Sequence, residues 1–252
     1  MVIKREITIP SLSGDQTRRL YIYLPENYNE NAEKRYPVLY MFDGHNVFFD
    51  EDATFGKSWG MNEYMLKTGK QLIIAAVECN MEGNRRLEEY SPVDFTYGPV
   101  GWIEGRGEEY MKWLAYTLKP SIDTQFRTLP DREHTLIAGS SMGGLMALYA
   151  ACVYNDVFKK AACLSPSIWI APEEITKILS EASVCKDTVI YMDYGSKEMK
   201  NHPQSKNALM KTTALLMEKE VNVALRIVPG GTHSEKSWEK QIPVFMECLN
   251  MA

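Results

Sequence analysis

Gly139-Ser140-Ser141-Met142-Gly143 lies between the apolar run Thr135 to Ala138 and the small-residue stretch Gly144 to Val153, and no other segment constrains the fold as much. A serine at the apex of a tight strand-to-helix turn holds a strained backbone. The residues two before and two after it must be tiny so that strand and helix can approach. Gly139 and Gly143 meet that demand around Ser141, whereas Ser140 has Ala138 and Met142 at the same offsets. The register of the turn therefore centres on Ser141.

Around this turn, Val38 to Phe42, Leu72 to Val77, Thr135 to Ala138, Ala161 to Leu164, Val189 to Met192 and Val223 to Val228 are mostly continuous apolar runs. Runs of this kind predict parallel strands covered on both faces. Thr17 to Leu24 instead alternates Leu20, Ile22 and Leu24 with polar positions, the pattern of a half-buried antiparallel strand near a sheet edge. Helical patterns intervene, among them Tyr110, Leu114, Leu118 and Ile122, and near the C-terminus Ile242, Phe245, Met246 and Leu249. Strand and helix in alternation imply right-handed crossovers, helices on both faces of the sheet, and ligands at the C-terminal strand ends. With no internal repeat or linker, residues 1–252 are expected to form one domain. The long irregular stretch Cys79 to Gly107 is expected to shape a site.

A net charge of −5 with both signs mixed along the chain lacks the clustered basic face that nucleic acid requires. Met1 to Pro10 alternates charged and aliphatic residues and carries no apolar segment of the signal-peptide kind, and no later run approaches membrane-spanning length. A cytoplasmic location without membrane contact is the expectation. Cys79, Cys152, Cys163, Cys185 and Cys248 are odd in number and lack CxxC spacing, which reads as reduced thiols rather than a disulfide frame or metal site.

A serine hydroxyl is a poor nucleophile at neutral pH and needs a general base within hydrogen-bond reach. Among the four histidines, His233 follows the last predicted strand in the turn-rich Val228-Pro229-Gly230-Gly231-Thr232-His233, where it can swing over the strand ends. His134 precedes the elbow strand and belongs to the far end of the sheet, and His202 is a weaker alternative base. The order Ser, acid, His places the third member between Ser141 and His233, just past a strand. Asp193 and Glu198 both qualify, and Glu198, closing Gly195-Ser196-Lys197-Glu198, is preferred because the turn delivers its carboxylate to the crevice. Asp193 then becomes a structural residue that bonds loop amides. For the developing oxyanion the candidate donors are the backbone amides of Met142, after the nucleophile, and of His45, with Asn46 as the alternative, in Asp43-Gly44-His45-Asn46 after the third strand.

These residues, with Tyr36-Pro37-Val38-Leu39-Tyr40, Arg86 and Glu89-Tyr90-Ser91-Pro92, Leu118-Lys119-Pro120, Ser165-Pro166-Ser167-Ile168-Trp169 and Gly231-Thr232-His233 with Trp238, resemble the esterase D-like “putative esterase” family of α/β-hydrolases over nearly the whole chain. That family includes feruloyl and acetylxylan esterases, siderophore esterases and S-formylglutathione hydrolases. The resemblance implies an α/β-hydrolase fold, with a mostly parallel central sheet, antiparallel N-terminal edge strands and helices on both faces. It also implies Ser141, Glu198 and His233 as a triad and a crevice for a small-molecule ester, with no metal or organic cofactor. Trp169, Trp102 and Trp238 are candidate substrate-binding aromatics, and an ion pair involving Arg86 and Glu89 is expected to brace the long loop. The expected activity is serine ester hydrolysis through an acyl-enzyme on small acetylated or feruloylated carbohydrates. A siderophore esterase, an acyltransferase and a catalytically silent binding module are the alternatives, and the oligomeric state stays open.

Overall fold

The computed structural model describes residues 1–198 and 203–249. Its strands are β1 (Val2–Thr8), β2 (Thr17–Tyr23), β3 (Val38–Met41), β4 (Ile73–Val77), β5 (Phe95–Tyr97), β6 (Gly101–Ile103), β7 (Thr135–Ser140), β8 (Lys160–Leu164), β9 (Val189–Gly195) and β10 (Asn222–Val228). Eight of them form one sheet in the order β1-β2-β4-β3-β7-β8-β9-β10, and β5 and β6 form a separate hairpin. β1 runs antiparallel to β2 and β2 to β4, while every junction from β4 to β10 is parallel. This is the α/β-hydrolase arrangement, with its antiparallel N-terminal edge.

Alternate residues of the inner strands serve two separate cores. Val38, Tyr40, Ile73, Ala75 and Val77 face one side with the Met142–Val153 and Pro172–Glu181 helices. Leu39, Met41, Ile74 and Ala76 face the other with the Met61–Thr68 and Ile242–Cys248 helices. Burial on both faces is why these strands read as unbroken apolar runs.

Two strand expectations need correction. β2 is antiparallel and second from the sheet edge, as expected, but it is not half-buried: Tyr21 and Tyr23, which make the segment look half-polar, are fully buried on the second face. A tyrosine ring fills a core as an apolar body wherever its hydroxyl is accommodated. β10 is the exposed edge of the sheet: Val223 and Leu225 pack on the core, but Ile227 is 41% exposed. Apolar content alone does not distinguish an edge strand from an inner one.

Tyr110, Leu114, Leu118 and Ile122 are all buried along one continuous helical segment. A strict spacing of four overshoots the 3.6-residue turn of an α-helix. The drift is absorbed by a π-helical turn at Leu114–Leu118, between the Gly107–Trp113 and Lys119–Gln125 α-helices. The stretch Cys79 to Gly107 is less irregular than its composition suggests, since it carries the Arg85–Glu89 helical turn and the β5–β6 hairpin. Two ion pairs pin it. Arg86 holds Asp43 at 2.7 and 2.8 Å, and Glu89 accepts from Arg18 at 2.7 Å with both side chains 3% exposed. Arg86 and Glu89 thus brace the loop through separate partners and not through each other. Among the described residues no helix is long and apolar enough to cross a membrane.

Candidate active site

β7 ends at Ser140 and the Met142–Val153 helix starts one residue later, leaving Ser141 between them at φ 58°, ψ −123°. A positive φ at a residue with a Cβ costs about 1–3 kcal/mol and persists only where the surroundings over-determine it. Here they do. The Ser141 amide donates to Leu164 O at 2.9 Å, and its carbonyl accepts from Leu145 N at 3.0 Å and Ser167 N at 3.1 Å. A Cβ on Gly139 would lie 2.5 Å from the Gly143 carbonyl, and one on Gly143 2.8 Å from the Phe42 Cβ, so both glycines are required by close approach.

The loops after β9 and β10 are laced together because their strands are neighbours. Ser196 N donates to Val228 O and Lys197 N to Gly231 O, both at 3.0 Å. That lacing brings Glu198 and His233 side by side, with His233 Nδ1 2.7 Å from Glu198 Oε2 and His233 Nε2 2.9 Å from Ser141 Oγ. A carboxylate can only accept, so it selects the Nδ1–H tautomer and leaves the Nε2 lone pair facing the serine hydroxyl. Glu198 is buried and His233 is open to the crevice. Asp193 is fully buried and makes no bond to His233; it accepts from Tyr191 Oη at 2.9 Å and the Ser165 amide at 3.3 Å. Burial, with Glu198 nearby, lifts its carboxyl to about 7.

Ser165 has no assigned role in the sequence reading, although it follows β8 in the Ser165-Pro166-Ser167 segment. It is buried at φ 45°, and its Oγ donates to Glu198 Oε1 at 2.9 Å while accepting Trp238 Nε1–H at 3.0 Å. Gly195 N reaches the same Oε1 at 3.0 Å. Glu198 is thus held on both oxygens. Trp238 also stands edge-on to the His233 ring, 5.0 Å between centroids.

The turn after β3, Gly44–Asn46, presses on β4, since a Cβ on Gly44 would lie 2.5 Å from Ala76 O. It places buried His45 in a cavity wall shared with Ser141. The His45 ring bonds Thr54 Oγ1 through Nε2 at 3.0 Å, its Nδ1 has no partner among the described residues, and burial lowers its pKa. Met142 opens the helix, where backbone amides have no intrahelical acceptor. Asp43, His45 and Cys79 bring one potential metal-ligand atom each within 4.8 Å of the others, but Arg86 occupies both Asp43 oxygens.

Two cavities flank the serine. The smaller, about 280 Å³, is walled by Tyr97, Trp169 and Tyr194, and the larger, about 490 Å³, by His45, Phe55, Met81, Arg86, Glu235 and Trp238. Ser141 and His233 line both. Of the three candidate tryptophans, Trp169 and Trp238 therefore reach the crevice. Trp102 is 67% exposed on the β5–β6 hairpin and lines neither cavity, whereas Tyr97 on the same hairpin does. His134 pairs with Asp131 away from the crevice, and His202 lies outside the described residues.

The family profile described as “Putative esterase” matches residues 11–247. The Bacillus subtilis protein YbbA, which is uncharacterized, is 24% identical over 92% of this chain and 92% of its own length. An endo-1,4-beta-xylanase/feruloyl esterase of Xylanibacter ruminicola is 28% identical over 68% of this chain, but the match spans only 22% of that longer protein. Among solved structures, an IroE-like serine hydrolase from Shewanella oneidensis superposes with a TM-score of 0.73 at 18% identity, over 99% of this chain and 88% of that one.

Proposed function

We propose, from the premise that this chain belongs to the “Putative esterase” family, that Ser141 is the nucleophile of a carboxylic ester hydrolase working through an acyl-enzyme. The observation that carries the proposal is the continuous relay from Glu198 through His233 to Ser141, at 2.7 and 2.9 Å. His233 Nε2 removes the hydroxyl proton as Ser141 Oγ attacks the ester carbonyl. Glu198 stabilises the resulting imidazolium, and the Met142 and His45 amides receive the oxyanion. Collapse expels the alcohol, which takes the proton from Nε2. Water then enters by the same route in reverse and releases the acid.

Neutral acylated carbohydrates fit the crevice better than a polyanionic ferric siderophore. Its walls carry Arg86 and Lys197 against Asp43, Glu198 and Glu235, so negative charge is in surplus. The three rings of the smaller cavity suit an aryl or short acyl group. Turnover of p-nitrophenyl acetate by Ser141→Ala tests the nucleophile. The expected loss is about a thousandfold or more, and a variant that kept wild-type turnover would remove Ser141 from the mechanism.

A further inference from the structure

Of the ionisable side chains in the larger cavity that the relay leaves unused, Asp43 and Arg86 hold each other and His45 bonds Thr54, whereas Glu235 has no such partner among the described residues. Glu235 follows His233 by two residues, lines the same cavity as Ser141, and is only 8% exposed. Its neighbours in charge are already engaged. Arg86 is committed to Asp43 through two bonds, and His233 to Glu198 and Ser141. Among the described residues no other residue bonds the Glu235 carboxyl, which meets only its own backbone amide and is pushed above the usual carboxylate range by burial and by Asp43.

The carboxyl oxygens are not sealed from the cavity, so they meet water or a ligand there, and a ligand that displaces that water must return its hydrogen bonds. The cavity is the direction from which a partner can come. Phe55, 80% exposed, and Met81, 54% exposed, also line it and offer apolar surface to a ligand. A carboxylate acceptor beside apolar walls suits a molecule with hydroxyls on its edge and C–H groups on its faces.

We propose that Glu235 is a specificity-determining residue, accepting hydrogen bonds from hydroxyls on the polyol alcohol of the ester bound in the larger cavity. The inference rests on the serine esterase reading and adds to it the residue that reads the alcohol. A neutral polyol is favoured over an anion, which Glu235 would repel.

The test compares kcat/KM for an acetylated xylo-oligosaccharide with that for p-nitrophenyl acetate, in wild type, Glu235→Gln and Glu235→Asp. Both variants are expected to lower the sugar-to-aryl ratio about tenfold or more, chiefly through KM, the loss typical of a hydrogen bond to a charged group. A ratio within about twofold of wild type overturns the proposal. Equal losses in kcat on both substrates also overturn it, since they place Glu235 behind His233 instead. So does a wild type that cleaves p-nitrophenyl acetate but not the sugar ester.

A binding readout covers the case in which a variant folds poorly. Free xylotriose is expected to slow fluorophosphonate labelling of wild-type Ser141 and to slow it less in whichever variant melts cooperatively. Labelling without protection by xylotriose overturns the assignment of Glu235 alone. Absence of labelling in folded wild type overturns the serine reading together with it.

Discussion

Asp193 near the end of β9 and Glu198 in the turn after it stand five residues apart, both acidic and both buried, yet their surroundings differ. Glu198 has one oxygen on His233 and the other on Ser165 and Gly195. Asp193 faces the Tyr191 hydroxyl and the Ser165 amide and stays out of the relay. Glu198→Gln is therefore expected to lower kcat on p-nitrophenyl acetate by at least about a hundredfold, and Asp193→Asn by far less. The reverse ranking would reassign the acid. In the proposed relay Ser165 would act as a positioning residue, since its hydroxyl bonds Glu198 and Trp238. Ser165→Ala should reduce kcat with little change in KM, and should cost much less in the Glu198→Gln background, because both changes cut the same interaction. Additive losses in that cycle would separate Ser165 from the relay. Chain order pointed to His233 and left Asp193 and Glu198 both open, and only the contact geometry separates the two acids. Ser165 was not legible, because a serine after a strand has no distinguishing pattern until the fold brings Trp238 and Glu198 to its two sides.

At the scale of elements, the strand–turn–helix at Gly139 to Gly143 is the part most fully written in the sequence, since the demand for two glycines follows from backbone approach alone. Gly139→Ala sets a Cβ 2.5 Å from main chain that cannot move without shifting the elbow. Gly14→Ala, at φ 55° with open space around it, meets only the cost of its backbone angle, about 1–3 kcal/mol. Urea denaturation is expected to give a clearly lower midpoint for Gly139→Ala than for Gly14→Ala; equal midpoints would contradict the packing argument. The inner strands were legible from their apolar runs, whereas the burial of β2 was underestimated and β10 was misplaced within the sheet. Composition reports how apolar a segment is, and neighbours decide which faces are covered. The Arg86–Asp43 and Arg18–Glu89 pairs were hidden for a similar reason, since each joins the long loop to a segment more than 40 residues away.

For the molecule as a whole, we propose that residues 1–252 fold as one domain, with two cores sharing a single sheet. Far-ultraviolet dichroism and tryptophan fluorescence should then report coincident unfolding curves; separated transitions would contradict this. Asp193 makes the stability of that unit depend on pH. Its carboxyl titrates at about 7 in the fold and at about 4 in the unfolded chain. Between those values the folded state binds the additional proton, so this group's contribution is full below about pH 4 and is lost as pH rises through about 7. Asp193→Asn should flatten that decline in urea midpoints, and an unchanged slope would remove Asp193 as its source.

The ester-hydrolase assignment comes from the family, while the assignment of the chemistry to Ser141 comes from the relay and is the central claim. Its most direct test is a fluorophosphonate reaction of the folded, ester-hydrolysing protein, followed by intact mass and peptide mapping. One adduct per chain is expected, on Ser141, with loss of activity in step with labelling. An inactivated protein carrying its adduct on another residue, or an active one that takes up no adduct, would contradict it.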